Sequence, residues 1–163
     1  MTIINIGDYK FKNYTILNEN ELKLTLKFRN ENRQWMINDD IITLEEHIKW
    51  INTLQTNNKI IYYLVYKNNI PFISISYHDI NWDKKEAYWG YFLGDKNFKS
   101  EVLKIEKIII DIAFNQLKLN KLYALCDINN HVIYIHKFFG FKEDKIVKIK
   151  HRNFLKMYLE KRN

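Results

Sequence analysis

The stretch DINNHVIYIHKFFGF, at residues 127–141, carries the most informative pattern in this chain. It predicts the end of a strand, an Asn turn, one short helix and a Gly stop. Asn129 or Asn130 can cap the start of the helix, and Gly140 suits the left-handed position that ends it. A single histidine lies on the apolar face of this helix, which follows the spacing i, i+3, i+4 and i+7 through Val132, Ile135, His136 and Phe139.

Length and composition predict one compact domain spanning residues 1–163, with 47% hydrophobic residues to fill its core. Only four Gly and one Pro are present, which argues against a disordered or repetitive region. Cys126 is the only cysteine, so an intrachain disulfide and a cysteine-cluster metal site are excluded, and we expect no metal. The start MTIINIGDY lacks a signal-peptide pattern and no run approaches membrane-spanning length, so we expect a cytoplasmic protein without a membrane partner.

The net charge of +7 raises the question of a nucleic-acid partner. The densest basic stretch, residues 142–152, alternates lysines with apolar residues, as expected for a solvated strand face. No zinc-finger, helix-turn-helix or aromatic RNA-binding motif accompanies the charge. We therefore expect no nucleic-acid partner, and the positive charge favours small ligands that carry phosphate.

The order of apolar patterns predicts an α/β (α+β) protein. Helices are predicted after the capping box Thr43-x-x-Glu46, from Ser100 to about Leu117, and in the short segment described above. Residues 21–30, ELKLTLKFRN, alternate like a strand but follow a second capping box at Asn18, and we favour a helix there. Strands are predicted at residues 3–6, 9–14, 60–68, 70–80, 86–93, 121–127, 141–150 and 154–160.

Residues 127–141 resemble the motif N-x-x-A-x-x-x-Y-x-x-x-G-F of the GNAT superfamily of N-acetyltransferases. In those enzymes the Asn contacts the pantetheine arm of acetyl-CoA, and the Tyr donates a proton to the departing CoA thiolate. Asn129 matches the Asn, Val132 the small residue, and His136 stands where the Tyr is expected. The resemblance implies acetyl-CoA as co-substrate and the GNAT fold. That fold is a mixed central sheet of about seven strands, splayed between the fourth and fifth, with helices on both faces.

Two segments in the first half resemble a narrower group. FRNENRQWM and TLEEHIKWI are similar to F-R-N-x-x-x-x-W-M and S/T-L-x-x-H-x-x-F/W-I of the bacterial N-acetyltransferases of pseudaminic acid biosynthesis. Those enzymes acetylate the 4-amino group of a UDP-linked 4-amino-4,6-dideoxy-N-acetyl-altrosamine. The resemblance implies that Arg29, Met36 and His47 line a nucleotide-sugar pocket, and Ser76 is a further candidate. Structural interpretations stay open: Arg29 at a helix end, and Met36 and His47 in the core.

Acetyl transfer needs a base for the amine, donors for the thioester carbonyl and an acid for the sulfur. Strand alternation places Ser74, Ser76 and His78 on one face, away from Ile73, Ile75 and Tyr77. A histidine can take the ammonium proton. Glu86 is the competing base, and an exposed strand-end role for His78 stays open. Main-chain N–H groups at residues 89–93 can stabilise the carbonyl oxygen. His136 is the candidate acid, with a core histidine bonded to a backbone carbonyl as the alternative.

The resemblance also assigns the CoA-binding residues. The pantetheine is expected beside Tyr91, Phe92 and Leu93, near Asn129. The pyrophosphate is expected over a loop that in the family is R/Q-x-x-G-x-G/A and that here contains no glycine. Lys96 and Lys99 could compensate by charge and Ser100 by its hydroxyl, whereas a Glu lies close to the expected phosphates. The phosphate-binding candidates are Lys96, Lys99, Ser100, Glu101 and Val102.

Two other classes stay open. One is an acyltransferase of the same fold that acts on another amine, such as a protein N-terminus or a different nucleotide sugar. The other is a non-catalytic relative that binds a nucleotide sugar or a partner. A buried, closed-off His136 would favour the binding protein, and a cleft between residues 89–93 and Asn129 would favour the enzyme. The oligomeric state also stays open, a homodimer included.

Overall fold

The computed structural model describes residues 2–162, which form one eight-stranded sheet and four α-helices. The strands are β1 Ile3–Ile6, β2 Tyr9–Asn13, β3 Ile61–Lys67, β4 Ile70–Asn81, β5 Glu86–Leu93, β6 Lys121–Asp127, β7 Lys142–Ile149 and β8 Arg152–Glu160. The helices are α1 Glu19–Glu31, α2 Leu44–Thr53, α3 Val102–Asp111 and α4 Val132–Phe138. The predicted mixed α/β architecture is confirmed. The eight strands match the number of strand patterns in the sequence and are one more than the about seven that the family resemblance implied. Within the described part, no helix is long and apolar enough to cross a membrane.

The sheet order is β1-β2-β3-β4-β5-β6-β8-β7, and only β5 and β6 run parallel to each other. These two strands pair from Glu86 with Lys121 to Tyr88 with Tyr123. On its other side β5 stays paired with β4 as far as Leu93. The sheet therefore opens between β5 and β6. This is one strand later than predicted, because the additional strand precedes the opening.

Residues 19–31 form helix α1, as the cap at Asn18 predicted, although their apolar residues alternate as in a strand. The Asn18 side chain accepts from the Glu21 N–H and the Glu21 carboxylate accepts from the Asn18 N–H, which satisfies two donors at the helix start. The buried positions follow helical spacing but are mostly polar: Glu21, Thr25, Phe28 and Arg29. The leucines that suggested a strand are half-buried on the flanks. A polar stripe of α1 thus faces the sheet.

Helices cover both faces of the sheet, as predicted. The larger hydrophobic cluster joins the sheet to α3 and α4, and in it the Tyr77 hydroxyl donates to the Ile109 carbonyl at 2.6 Å. The smaller cluster joins α1 and α2 to β3 and includes Phe28, Ile51 and Leu64. Successive residues of β4 point to opposite faces. Ser74, Ser76 and His78 therefore share a face, opposite Ile73, Ile75 and Tyr77 as the sequence predicted.

The end of α1 packs against the end of β5. The Asn32 side-chain amide donates to the Phe28 and Leu93 carbonyls at 2.8 and 2.9 Å. The Phe28 ring lies directly on Gly94, where a Cβ would be 2.1 Å from the ring carbon Cγ. Only a glycine allows this contact, and it fixes α1 beside the open part of the sheet.

Replacing Gly94 by Ala should therefore destabilise the fold, whereas replacing Gly90 by Ala should not. Gly94→Ala forces the Phe28 ring away from β5, and overpacking of this kind costs about 1–3 kcal/mol. A Cβ on Gly90 meets no heavy atom within 4 Å. Urea unfolding of both variants and the parent measures the difference. Equal midpoints for the two variants would contradict this account of the helix–sheet contact.

Candidate active site

The opening between β5 and β6 gives access from both faces of the sheet. Beyond Tyr88 and Tyr123 the two strands are no longer paired. The edge of β5 that follows, from Trp89 to Leu93, keeps its β4 partner but has none on the β6 side. Main-chain groups on that edge are thus turned toward the opening, where the sequence predicted donors for a carbonyl oxygen. Polar side chains gather on each face beside it.

On the face beneath α1 and α2, β4 contributes a row of polar groups. The Ser74 hydroxyl bonds the Tyr14 hydroxyl, and Ser76 Oγ lies 3.4 Å from His78 Nδ1. Ser76 pairs across the sheet with Gly90, and a Cβ there would meet open space. Because Gly90 lacks a side chain, room is left on this face next to Ser76 and His78.

His78 and Glu86, the two candidate bases, lie at different distances from the opening. Burial lowers the pKa of His78 below its usual value, an effect opposed by the neighbouring Asp79. His78 is therefore neutral at pH 7 and can accept a proton. It pairs with Tyr88, the last β5 residue bonded to β6. Glu86 lies further back on the closed part of β5, within 3.4 Å of the Tyr123 hydroxyl.

The structure places His47 between α1 and α2. Its side chain is 3% exposed, its Nε2 is 2.9 Å from Thr25 Oγ1, and its ring stacks on Trp50. Burial, and then the nearby Arg29, lowers the pKa of His47 to about 4. The ring is neutral and hydrogen bonded, so it has no charge with which to hold a phosphate. These contacts give His47 a place in the packing of the helices.

Arg29 and Asn30 organise the loop between α1 and α2. The Arg29 guanidinium donates to the Asn38 carbonyl at 2.6 Å and also to the carbonyl of Asp40. The Asn30 side-chain amide donates to the Ile42 carbonyl at 2.9 Å, and its oxygen accepts from the Ile42 N–H at 3.0 Å. Arg29 is 8% exposed. Its donors are thus used largely within the loop that carries Met36.

Arg152, at the start of β8, joins this loop to the far side of the opening. Its guanidinium donates to the Met36 carbonyl at 2.5 Å, to the Gln34 carbonyl at 2.8 Å, and to the Asp127 carboxylate at 2.9 Å. Asp127 is the last residue of β6. The loop therefore spans the mouth of the opening, and Met36 within the loop is half-buried. No local pattern singles out Arg152, because its partners are distant in sequence.

On the opposite face, His136 belongs to a buried polar network. Its side chain is 3% exposed, and its Nδ1 lies 2.7 Å from Glu106 Oε1. The Tyr91 hydroxyl donates to the other Glu106 oxygen at 3.3 Å, and burial, followed by the Glu106 charge, raises the pKa of Tyr91. Burial also raises the pKa of the Cys126 thiol to about 12, so it is not a nucleophile at neutral pH. His136 is buried, as the core interpretation expected, but its partner is a carboxylate instead of a backbone carbonyl.

Glu106 was missed at the sequence level, although a signal existed. It stands at helical spacing between the buried Val102 and Ile109 of α3, where an apolar residue would be expected. An ionisable residue on the apolar stripe of a helix needs a buried partner. His136, the one histidine on the apolar face of α4, supplies it.

Trp89 offers a test of whether the opening suits a bound acyl thioester. Its side chain is 2% exposed and contacts the ring of His136 at a centroid distance of 4.9 Å. Its indole Nε1 has no hydrogen-bond partner within residues 2–162. A buried donor without a partner is costly, and a carbonyl-bearing ligand in the opening could accept from it. The residues present on this face therefore fit such a ligand.

The segment Lys96–Glu101 forms a 3-10 turn that leads into α3. Glu101, expected near phosphates, turns inward instead, where its carboxylate accepts from the Tyr9 hydroxyl at 2.7 Å and from the ammonium of Lys67. Side-chain hydrogen bonds, first from Lys67 and then from Tyr9, lower the pKa of Glu101. Its charge is therefore neutralised away from the outer surface of the turn.

Two aromatic residues fix this turn where the family has glycines. Phe98 stacks on Phe72 with ring centroids 4.9 Å apart. Lys96, Lys99 and Ser100 remain exposed at the start of α3, whereas the Val102 side chain is buried. Asn129 is exposed at the other end of the site, with its N–H donating to Asp127 at 2.9 Å.

The structure thus divides the predicted site residues between two faces. Ser76 and His78 share one face with the loop that carries Met36, and Glu86 lies on the same face further from the opening. His136 and Tyr91 lie on the other face, and Phe92 points toward the α1–α2 side. Among the described residues no group of His, Cys, Asp and Glu is arranged to hold a metal ion.

No protein-family model matches the sequence. The spermidine N-acetyltransferase of Vibrio cholerae, solved with CoA and spermine, superposes with a TM-score of 0.81 at 15% identity, covering 95% of this chain and 96% of the other. At that identity the likeness shows the fold alone.

A second likeness extends to sequence. The crystal structure of Campylobacter jejuni N-acetyltransferase PseH in complex with acetyl coenzyme A superposes with a TM-score of 0.78 at 26% identity, covering 94% of this chain and 99% of that one. Acetyltransferase PseH of Campylobacter jejuni is 31% identical over 117 residues, which are 71% of this chain and 72% of the relative. This chain therefore belongs to the GNAT superfamily of N-acetyltransferases and, within it, to the family of PseH.

Proposed function

We propose that this enzyme transfers the acetyl group of acetyl-CoA to the 4-amino group of a UDP-linked amino-dideoxy sugar in pseudaminic acid biosynthesis. The observation that carries the proposal is the opening between β5 and β6. The polar face beneath α1 and α2 suits the acceptor, and the face beneath α3 and α4 suits the acyl thioester. The likeness to PseH supports the choice of substrate class. A cytoplasmic location and a single catalytic domain over residues 1–163 form part of the proposal.

The charge of the acceptor face favours a nucleotide sugar over a polyamine. The chain carries a net charge of +7. Lys121 and Lys156 lie half-buried on β6 and β8, on the face that also carries His78. Positive charge attracts a diphosphate and repels a substrate such as spermidine. An amine on a protein N-terminus remains the second candidate acceptor.

Acetyl-CoA would supply an activated acetyl thioester. Lys96, Lys99 and Ser100, exposed at the start of α3, would hold its phosphates through charge and a hydroxyl. The edge of β5 from Trp89 to Leu93 would position the pantetheine and direct main-chain N–H groups at the carbonyl oxygen. Glu101 does not oppose this arrangement, because its carboxylate is neutralised by the Lys67 ammonium and accepts a hydrogen bond from the Tyr9 hydroxyl.

His78 is the proposed base and His136 the proposed acid, one on each face of the opening. Neutral His78 can take a proton from the acceptor ammonium, directly or through a water. Glu106 accepts from His136 Nδ1–H, which fixes the ring orientation. In the imidazolium form Nε2 also carries a proton, and that proton goes to the leaving sulfur, which leaves a neutral ring. Both tasks are then performed by residues that packing holds in place.

The substrate assignment predicts acetylation of UDP-4-amino sugars in preference to polyamines or peptides. Purified protein with acetyl-CoA should release CoA rapidly when a UDP-linked 4-amino-4,6-dideoxy sugar is added. Spermidine and a peptide with a free N-terminus should give at least a tenfold lower kcat/KM, because neither carries a diphosphate for the basic face. CoA release and mass spectrometry of the product measure this. Preferential acetylation of spermidine or the peptide would reject the substrate assignment.

The base assignment predicts a pH dependence that belongs to His78. Since burial lowers its pKa, the neutral form required of a base persists below pH 6.5. The acid limb of kcat/KM should therefore have its midpoint below that value. His78→Gln should lower kcat/KM by roughly 10²-fold or more and remove this limb. Glu86→Gln is the matched control and should keep the limb. Loss of the limb in the Glu86 variant alone would transfer the role to Glu86.

The acid assignment predicts a loss of turnover that is separable from a loss of stability. His136→Ala leaves the buried Glu106 without its histidine partner, which costs about 1–3 kcal/mol. His136→Gln keeps an amide donor for Glu106 but cannot deliver a proton. We expect it to retain a melting temperature near the parent and to lose roughly a hundredfold in kcat. His136→Tyr should regain much of that rate. Full kcat in the Gln variant would leave His136 a purely structural role.

A further inference from the structure

An aromatic row crosses the sheet on the acceptor face. His78, Tyr88, Tyr123 and Tyr158 lie on β4, β5, β6 and β8, and each is the direct cross-strand partner of the next. The His78 and Tyr88 rings stack at 6.0 Å, and the Tyr88 and Tyr123 rings at 5.2 Å. We refer to these four residues as the aromatic row. It lies at the base of the opening, because Tyr88 and Tyr123 form the last β5–β6 pair.

Two lysines lie over the rings of the row. Lys156 Nζ is 4.6 Å from the centre of the Tyr123 ring and 5.6 Å from that of Tyr88. Lys121 Nζ is 4.9 Å from Tyr123 and 4.8 Å from Tyr158. Lys121 also has Glu160 at 3.7 Å, whereas no carboxylate within residues 2–162 lies within 4.0 Å of Lys156. Lys156 also hydrogen bonds the Tyr88 hydroxyl and feels the charge of Asp144. The row therefore combines aromatic rings with two ammonium groups, of which that of Lys156 has no ion pair in the described structure.

Neither α1 nor α2 shields this part of the sheet with an apolar contact. The hydrophobic cluster beneath those helices draws on β3 and β5 and, in the described structure, includes no residue of β6, β7 or β8. The three tyrosines and both lysines are half-buried. A preformed surface of this kind can bind a flat, charged ligand with little ordering cost.

We infer that the aromatic row with Lys121 and Lys156 is the subsite for the nucleoside diphosphate part of the acceptor, an inference that rests on the proposed function. A nucleobase stacks on the tyrosines at the Tyr158 end, and the diphosphate contacts the two ammonium groups. Three strand spacings of about 4.8 Å make the row about 14 Å long, enough for a base, a diphosphate and a sugar in series.

The orientation follows from the position of His78. It ends the row beside Gly90, where a Cβ would meet open space. The sugar amine lies there, next to the proposed base and at the opening where the thioester carbonyl is expected. The uracil end then lies toward Tyr158 and the edge of the sheet. The length of the row thus favours acceptors that reach from Tyr158 to His78, and its lysines favour acceptors that carry phosphate.

Equilibrium binding of UDP and uridine to the full chain tests the subsite, by titration calorimetry or ligand-detected NMR. Lys156→Met should weaken UDP at least tenfold and leave uridine within twofold, because only the diphosphate contacts the ammonium group. Lys156→Arg should restore most of the UDP affinity. Tyr158→Ala should weaken both ligands. Lys148→Met is the matched control, since Lys148 pairs with Asn153 and so lies on the opposite face. It should change neither affinity.

UDP binding to Lys156→Met within twofold of the parent, with an unchanged melting temperature, would overturn the inference. Failure of the parent to bind either UDP or uridine would also overturn it. The same holds if the variants change the dimer fraction in sedimentation and leave the UDP affinity intact. The proposed function is judged separately, by acetylation. A parent that acetylates the nucleotide sugar while Lys156→Met binds UDP normally refutes the subsite alone. UDP binding that depends on Lys156 without acetylation of any nucleotide sugar supports the subsite and refutes the substrate assignment.

Discussion

The end of the β5–β6 pairing at Tyr88 and Tyr123 is the constraint on which the rest of the structure depends. A parallel pair that continued to Leu93 would close the sheet and separate its two faces. Because the pairing stops, the proposed mechanism can bring an acyl donor from the α3–α4 side and an amine from the α1–α2 side together at one edge of β5. The opening is held by what surrounds it: the Phe28 ring on Gly94 at one end, and Arg152 between the α1–α2 loop and β6 at the other.

Buried carboxylates take positions where the family resemblance led us to expect other groups. Glu106 bonds His136, which stands where the family motif has a tyrosine. Glu101 lies in the segment where the family motif has glycines, and its carboxylate contacts Lys67 and Tyr9. Each carboxylate has its partners, as burial of charge requires. Both networks lie on the α3–α4 side of the sheet. In the proposed mechanism the first orients the acid, and the second keeps the Glu101 charge away from the phosphate-facing lysines.

On the proposed acceptor face, the residues that would bind a ligand differ from those that position the loop and the helices. Arg29 and His47 are largely used in holding the α1–α2 loop and in packing the helices. The surface that remains available for a charged, planar ligand lies on the strands, in the aromatic row and its lysines. This division is consistent with a pocket whose wall is a loop fixed by buried hydrogen bonds and whose floor is the sheet itself.

The sequence by itself determined the elements and the family. Capping boxes, strand alternation and the short helix at residues 127–141 are local signals, and their order predicted the mixed sheet, the helices on both faces and an opening. It also placed Ser76 and His78 on one face. The tertiary structure alone decided which polar residues meet. Glu106 with His136, Glu101 with Lys67, Arg152 with Asp127, and the four rings of the aromatic row are joined by strand register and helix packing, and no local pattern encodes partners so distant along the chain.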